Sequence, residues 1–100
     1  MKAILNGTVL AEADASELVR IEGNWYFPRS ALRLEVLAPS DTTYTCAWKG
    51  DAEYFTAVLD RGDHADAAWS YRQPPESAIS RVGHDFSGYV AFDRAVELVE

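Results

Sequence analysis

Apolar and polar residues alternate along most of this chain in short stretches, the pattern typical of strands with one buried face. Two tight-turn signals separate the first stretches, "NG" at positions 6–7 and "GN" at positions 23–24. Each predicts a hairpin with a two-residue loop. The residue pairs that this loop length predicts are Leu5 with Thr8 and Ile4 with Val9 in the first hairpin, and Glu22 with Trp25 and Ile21 with Tyr26 in the second.

The rest of the chain also consists of short stretches typical of strands, which are marked by threonines and aromatic residues. The predicted strands are 42–48, 54–59, 65–71, 89–92 and 96–99, with turns at 49–53 and 60–63. An apolar piece ending at Pro39 and Ser40 precedes them, after one helical turn at 30–34. The segment "PPESAISRVG" predicts a short helix with proline at its first position and Gly83 just past its end.

These elements predict a single domain spanning residues 1–100, because no repeat or linker divides the chain. About eight short antiparallel strands with one or two helical turns favour an all-β fold, a small barrel or sandwich. With 48% hydrophobic and 25% charged residues, the composition is that of an ordinary globular protein with one core.

Charge and hydropathy then exclude several classes of partner. Sixteen acidic residues against nine basic ones give a net charge of −7, which repels phosphate, and the basic residues are spread along the chain, so we predict no nucleic-acid binding. The longest apolar run, Tyr89–Phe92, is too short to span a membrane, so no membrane partner is predicted. A single cysteine and no signal peptide favour a cytoplasmic location.

Several short motifs occur in one order along the chain. They are "YFP" from Tyr26, "SDT" from Ser40, "CAWKGDAEY" from Cys46, "AWSY" from Ala68 with Pro74 following, and "GYVAF" from Gly88. With this series the chain resembles domain-of-unknown-function family 427 over nearly its whole length. Ala47 and Ala31 stand where the family commonly has a proline and an acidic residue.

The resemblance implies a protein of bacterial type from a family with no agreed substrate. The family is sometimes filed as nucleotidyltransferase-like. However, the sequence has no glycine-serine followed by a paired Asp-x-Asp, the arrangement that holds metal and triphosphate in polymerase-type transferases. The residues themselves therefore give that label little support.

Lys49 is the first candidate for ligand contact, because the chain uses arginine seven times and lysine only twice. It precedes Gly50, where the backbone can open for the approach of a ligand, and strand alternation places Thr45 on its face. The alternative is a solvated turn lysine in weak ion pairs with Asp51 and Glu53.

Aromatic residues extend this candidate site. Alternation in "AAWSY" places Trp69 and Tyr71 on one face, where with Trp25, Trp48 and Tyr54 they would line a cleft for a planar or cationic ligand. The alternative is that these rings form the core. The predicted ligand-binding residues are Lys49, Tyr54, Trp69, Tyr71, Thr45 and Trp48.

Cys46 is a candidate catalytic residue. It shares the more apolar strand face with Tyr44 and Trp48, where a thiol behaves as a small, inert hydrophobic group. A nucleophilic role would require His64 or His84 to fold against it as a base. We therefore interpret Cys46 as a buried thiol and keep the catalytic role as an alternative.

The residues together favour a small domain that binds an anionic or planar ligand in an aromatic-lined pocket near Lys49. Two alternatives stay open: an enzyme with Cys46 or Lys49 as nucleophile, and a protein-interaction or homo-oligomerisation module with exposed sheet edges. The acidic residues and histidine between Asp60 and Asp66 match no calcium-loop spacing, so no metal and no cofactor are predicted.

Overall fold

Nine short strands and one α-helix make up the fold in the computed structural model, which describes residues 1–100. The strands are β1 Lys2–Leu5, β2 Thr8–Glu12, β3 Val19–Ile21, β4 Asn24–Tyr26, β5 Leu37–Cys46, β6 Gly50–Ala57, β7 His64–Tyr71, β8 Val90–Phe92 and β9 Glu97–Val99. The helix α1 spans Glu76–Val82, and 3-10 turns span Ala15–Glu17, Arg29–Ala31 and Leu34–Val36. The predicted all-β class is confirmed, as a sandwich-like arrangement without a closed barrel.

The strands form three antiparallel sheets. Their orders are β2-β1-β9, β3-β4 and β5-β6-β7-β8. A bridge between Phe27 and Val90 connects the β3-β4 hairpin to the large sheet, and a bridge between Ala11 and Leu32 connects β2 to the segment that precedes β5. No helix of the protein is long and apolar enough to cross a membrane.

The large sheet has a hydrophobic core on each face, because neighbouring residues of its strands point to opposite sides. On one face, Phe55 and Ala68 pack in a 14-residue core with residues of β1, β2 and the 27–37 segment. On the other face, Ala52 and Tyr71 pack in a seven-residue core with Tyr26 of the hairpin and residues of α1. This second core contains the side chains of the candidate site.

The first hairpin has the predicted register, with Leu5 opposite Thr8 and Ile4 opposite Val9. In the second hairpin the turn lies one residue earlier than predicted, so each residue of β3 pairs with a residue of β4 two positions earlier than predicted. The turn residues are Glu22 and Gly23, with φ values of 52° and 83°, and Ile21 therefore pairs with Asn24. A type I′ turn needs positive φ at both central positions, and here Gly23 takes the second of them rather than the first.

The two aromatic residues of β4 lie on opposite faces of the hairpin, as strand alternation requires in either register. Tyr26 pairs with Val19 and lies in the second core, whereas Trp25 pairs with Arg20 on the outer side, where the guanidinium carbon lies 4.9 Å from the indole centroid. The predicted pairing of Ile21 with Tyr26 is wrong. Trp25 is accordingly not part of the aromatic group on the large sheet.

The connection between β5 and β6 also differs from the prediction. β5 continues through Pro39 with a register shift before Thr43 and ends at Cys46, and β6 already begins at Gly50. The turn is therefore 47–49 and not 49–53. Because Cys46 pairs with Gly50 and β6 is antiparallel to β5, Tyr54 lies well along β6 instead of beside Lys49.

The predicted helix is present, and its ends have a local explanation. Pro75 is the N-terminal cap rather than the first helical residue, and Gly83 just past the end adopts φ 82° in the left-handed region. Its backbone N–H donates to the Ile79 carbonyl, which closes the last turn.

Candidate functional site

Lys49 is the only charged residue that the fold buries, with 6% of its surface exposed. Its ammonium donates a hydrogen bond to Oε1 of Glu22. The same Nζ lies 5.1 Å from the ring centroid of Trp48 and 5.0 Å from that of Tyr71, within the range of cation-π attraction. Since buried lysines are rare unless paired, this is the most unusual side chain in the protein.

Its position follows from the end of β5. Strand alternation stops at Cys46, and the three turn residues reverse the chain so that Lys49 meets the side of the sheet that carries Cys46, Tyr71 and the second core. The alternative interpretation of Lys49, a solvated turn lysine in ion pairs with Asp51 and Glu53, is wrong, because the ammonium is buried and bonded to Glu22. Gly50 makes the reversal possible because its φ of 94° lies in a region that other residues avoid.

Glu22 reaches Lys49 from the tip of the β3-β4 hairpin. Its side chain is 53% exposed, against 7% for that of Lys49. The carboxylate thus covers the ammonium on the solvent side, while aromatic rings surround it on the protein side. Sequence reasoning missed Glu22, because the two residues are 27 positions apart and only the fold brings them together.

The rings around the ammonium are fixed by further contacts. The guanidinium carbon of Arg81, on α1, lies 4.3 Å from the ring centroid of Trp48, so two cations face this one indole. Trp69 Nε1 donates a hydrogen bond to Tyr26 Oη at 3.2 Å. Burial raises the pKa of Tyr71 and, despite the opposing effect of the Trp69 hydrogen bond, that of Tyr26. Both phenols therefore stay neutral at physiological pH.

Five of the six predicted ligand-binding residues lie on or beside one side of the sheet. Lys49, Trp48 and Tyr71 are in mutual reach, and Tyr54 and Trp69 are direct cross-strand neighbours packed against the same core. The sixth, Thr45, points to the other side of the sheet and donates a hydrogen bond to Asp51 Oδ1 at 2.7 Å. The prediction placed Thr45 on the face of Lys49 by continuing strand alternation through Lys49, but the strand ends at Cys46 and the turn interrupts this alternation.

The largest surface concavity lies elsewhere. A cleft of about 340 Å³ is lined by Ser16, Glu17, Leu18, Val19, Pro28, Ser30, His84 and Tyr89. At one wall, His84 Nε2 and Tyr89 Oη are 3.3 Å apart. None of the six predicted residues lines this cleft or either of the two smaller concavities.

Cys46 is half-buried and packs against the second core. The two histidines make other contacts: His64 lies 3.5 Å from a carboxylate oxygen of Asp93, and His84 contacts Tyr89. No histidine is therefore hydrogen bonded to the thiol. No group of three or more His, Cys, Asp or Glu side chains is placed to hold a metal ion.

A second polar cluster lies on the opposite face of the large sheet. Glu53 accepts a hydrogen bond from Arg29 Nη1 at 3.0 Å and lies 3.8 Å from Arg72 Nη1. Its cross-strand neighbour Ser70 is fully buried, and the Ser70 hydroxyl has no hydrogen-bond partner. An unpaired buried hydroxyl is unfavourable for folding.

Comparison with models of protein families gives a match over the whole chain. The family model named NTP_transf_9, described as "Domain of unknown function (DUF427)", matches residues 1–100. No curated protein matches the chain.

Proposed function

The chain belongs to the family described as Domain of unknown function (DUF427), and from this premise we propose that it binds a small molecule that combines an anionic group with a planar body. The site is the group formed by Lys49, Trp48, Tyr71 and Glu22. The observation that carries the proposal is the buried Lys49 ammonium, which has an aromatic wall on the protein side and an exposed carboxylate on the solvent side.

Stability alone does not account for this arrangement. Taking an ammonium out of water is costly, and replacing a buried ion pair by apolar residues of similar volume is often neutral or stabilising. Lysine in this position therefore gives the folded state little more stability than methionine would. Recognition of an anion, in contrast, requires a cation, and a desolvated cation gives a stronger contact than one in water.

The rings supply the second half of the proposed recognition. Trp48 and Tyr71 lie at the ammonium, and the half-buried Tyr54 and Trp69 continue the aromatic surface along the sheet. A planar body attached to the anionic group would stack on such rings, in offset or edge-to-face geometry. The hydrogen bond from Trp69 to Tyr26 holds one of these rings, that of Trp69, in place before any ligand arrives.

A thermal-shift screen of small metabolites, including nucleotides and aromatic carboxylates, tests the proposal. A ligand at 100 times its Kd stabilises the folded state by about 2.7 kcal/mol, a shift of about 10 °C or more for a domain of this size. We expect the shift with the wild type and not with Lys49→Met, which keeps an unbranched side chain between the rings. Lys2→Met, at the exposed second lysine, is the matched control and should respond like the wild type.

The proposal is wrong if no compound raises the melting temperature of the wild type. It is also wrong if the active compounds shift Lys49→Met as much as Lys2→Met, because the ammonium would then not contribute.

A second candidate function, self-association through a sheet edge, is favoured by β5. This strand pairs only with β6, so its other edge is free, and residues 41–45 are exposed, including Tyr44 at 54%. Free edges invite pairing with another strand. Sedimentation velocity of the wild type and of Tyr44→Lys would distinguish a dimer that depends on this edge from a monomer.

A further inference from the structure

The Lys49 ammonium has one hydrogen-bond acceptor, although it carries three N–H groups. That acceptor is Glu22 Oε1, and the other contacts of Nζ are the rings of Trp48 and Tyr71. The rings attract the charge but do not replace a hydrogen-bond acceptor of full strength. The cation therefore depends on a single carboxylate for its pairing.

The two partners differ in their freedom to move. Lys49 is enclosed, with 7% of its side chain exposed, whereas 53% of the Glu22 side chain is in contact with solvent. Glu22 can rotate outward into solvent and be rehydrated there, while Lys49 cannot follow it. Such a movement would leave an ammonium at the bottom of an aromatic-walled opening.

The backbone conformation at Glu22 does not favour glutamate in this turn. Glu22 occupies the first central position of a type I′ turn with φ 52°, where asparagine, aspartate and glycine are the favoured residues. Left-handed backbone at a residue with a long side chain is unfavourable. Its carboxylate contact with Lys49 is the feature that a better turn residue would lose.

We propose that Glu22 occupies the position of a ligand carboxylate, and that a small carboxylate ligand binds by taking its place on Lys49. This inference rests on the proposed function and specifies its anionic group. Exchange of one carboxylate for another keeps the charge around the ammonium constant, whereas a phosphate dianion would add a further charge to a protein that already carries −7.

Chemical rescue tests the exchange without knowledge of the natural ligand. Glu22→Ala removes the carboxylate and leaves space for a replacement. We expect acetate and propionate to raise the melting temperature of Glu22→Ala with saturation, with half-saturation on the order of 10 mM, as is reasonable for ligands of so few atoms. Sodium chloride at equal ionic strength is the reference. The wild type, in which Glu22 competes, should respond much less.

Two further variants keep the experiment decisive. Glu22→Gly removes the side chain and also the backbone strain, so it gives a folded protein for the same titration if Glu22→Ala does not fold. The double variant Glu22→Ala, Lys49→Met has no ammonium to rescue and should show only the salt effect.

The inference is overturned if acetate acts no more strongly than chloride, or if the double variant responds like Glu22→Ala. Equal rescue by inorganic phosphate would overturn the assignment to carboxylates. The outcome is separable from that of the metabolite screen. A Lys49-dependent ligand without carboxylate rescue contradicts the exchange alone, whereas rescue without any wild-type ligand contradicts the proposed function and, with it, the displacement of Glu22.

Discussion

Removing either partner of the Glu22–Lys49 pair should have unequal consequences, because the two side chains are unequally buried. Glu22→Gln keeps the shape and the left-handed backbone but leaves the buried ammonium without a counter-charge. Lys49→Met leaves a carboxylate that is already half in water. We therefore expect Glu22→Gln to be the more destabilising of the two substitutions.

The magnitude follows from the exposure of the pair. Breaking a fully buried ion pair costs about 3–5 kcal/mol, and solvent access at Glu22 reduces this to about 1–2 kcal/mol. At about 4–8 °C per kcal/mol for a domain of this size, Glu22→Gln should lower the melting temperature by about 10 °C. Lys49→Met should stay within about 1 kcal/mol of the wild type, since an apolar chain then fills the space between the rings.

Urea denaturation at neutral pH and low salt, followed by tryptophan fluorescence and circular dichroism, gives the free energies of unfolding. The double variant Glu22→Gln, Lys49→Met completes the cycle and should be about as stable as Lys49→Met alone, because the glutamine then leaves no charge unpaired. The reasoning fails if Lys49→Met lowers the free energy of unfolding more than Glu22→Gln does. Packing of the lysine stem, and not charge pairing, would then stabilise the site.

Four further results are expected. Burial raises the pKa of Tyr71, so the folded state favours the neutral phenol. This contribution to stability is complete below the ordinary pKa of 10.0 and is lost as the pH rises further. Tyr71→Phe should therefore reduce the loss of unfolding free energy above about pH 10 in urea titrations. Ser70→Ala should raise the free energy of unfolding by up to about 1 kcal/mol, because it removes a buried hydroxyl without a partner; a loss of more than about 1 kcal/mol would show that the hydroxyl is bonded. Cys46 should react with a thiol reagent more slowly than a free cysteine, and faster labelling would contradict its assignment as an inert thiol. Gel-shift titrations at physiological salt should show no tight nucleic-acid binding, whereas tight binding with a steep salt dependence would reveal a local basic patch.

Local sequence determined the features that depend on neighbours along the chain. The "NG" turn set the register of the first hairpin, Gly83 ended the helix, and alternation placed Trp69 with Tyr71 on one face of β7. The motif series was also sufficient for the family, which the match over residues 1–100 confirms. Backbone conformational preferences and the two-residue period of strands act over a few residues, so they are readable from a linear pattern.

Only the tertiary structure decided how these pieces meet. Either neighbour of Gly23 was a reasonable partner in a two-residue turn, and both choices keep Ile21 and Tyr26 on the same face of the hairpin, so the alternation pattern could not distinguish them. Lys49 was singled out from the sequence, but its burial depends on Glu22 and Tyr71, which are 27 and 22 positions away. Burial and charge pairing between distant segments are properties of the packed chain, because they arise only when the core excludes water from both partners at once.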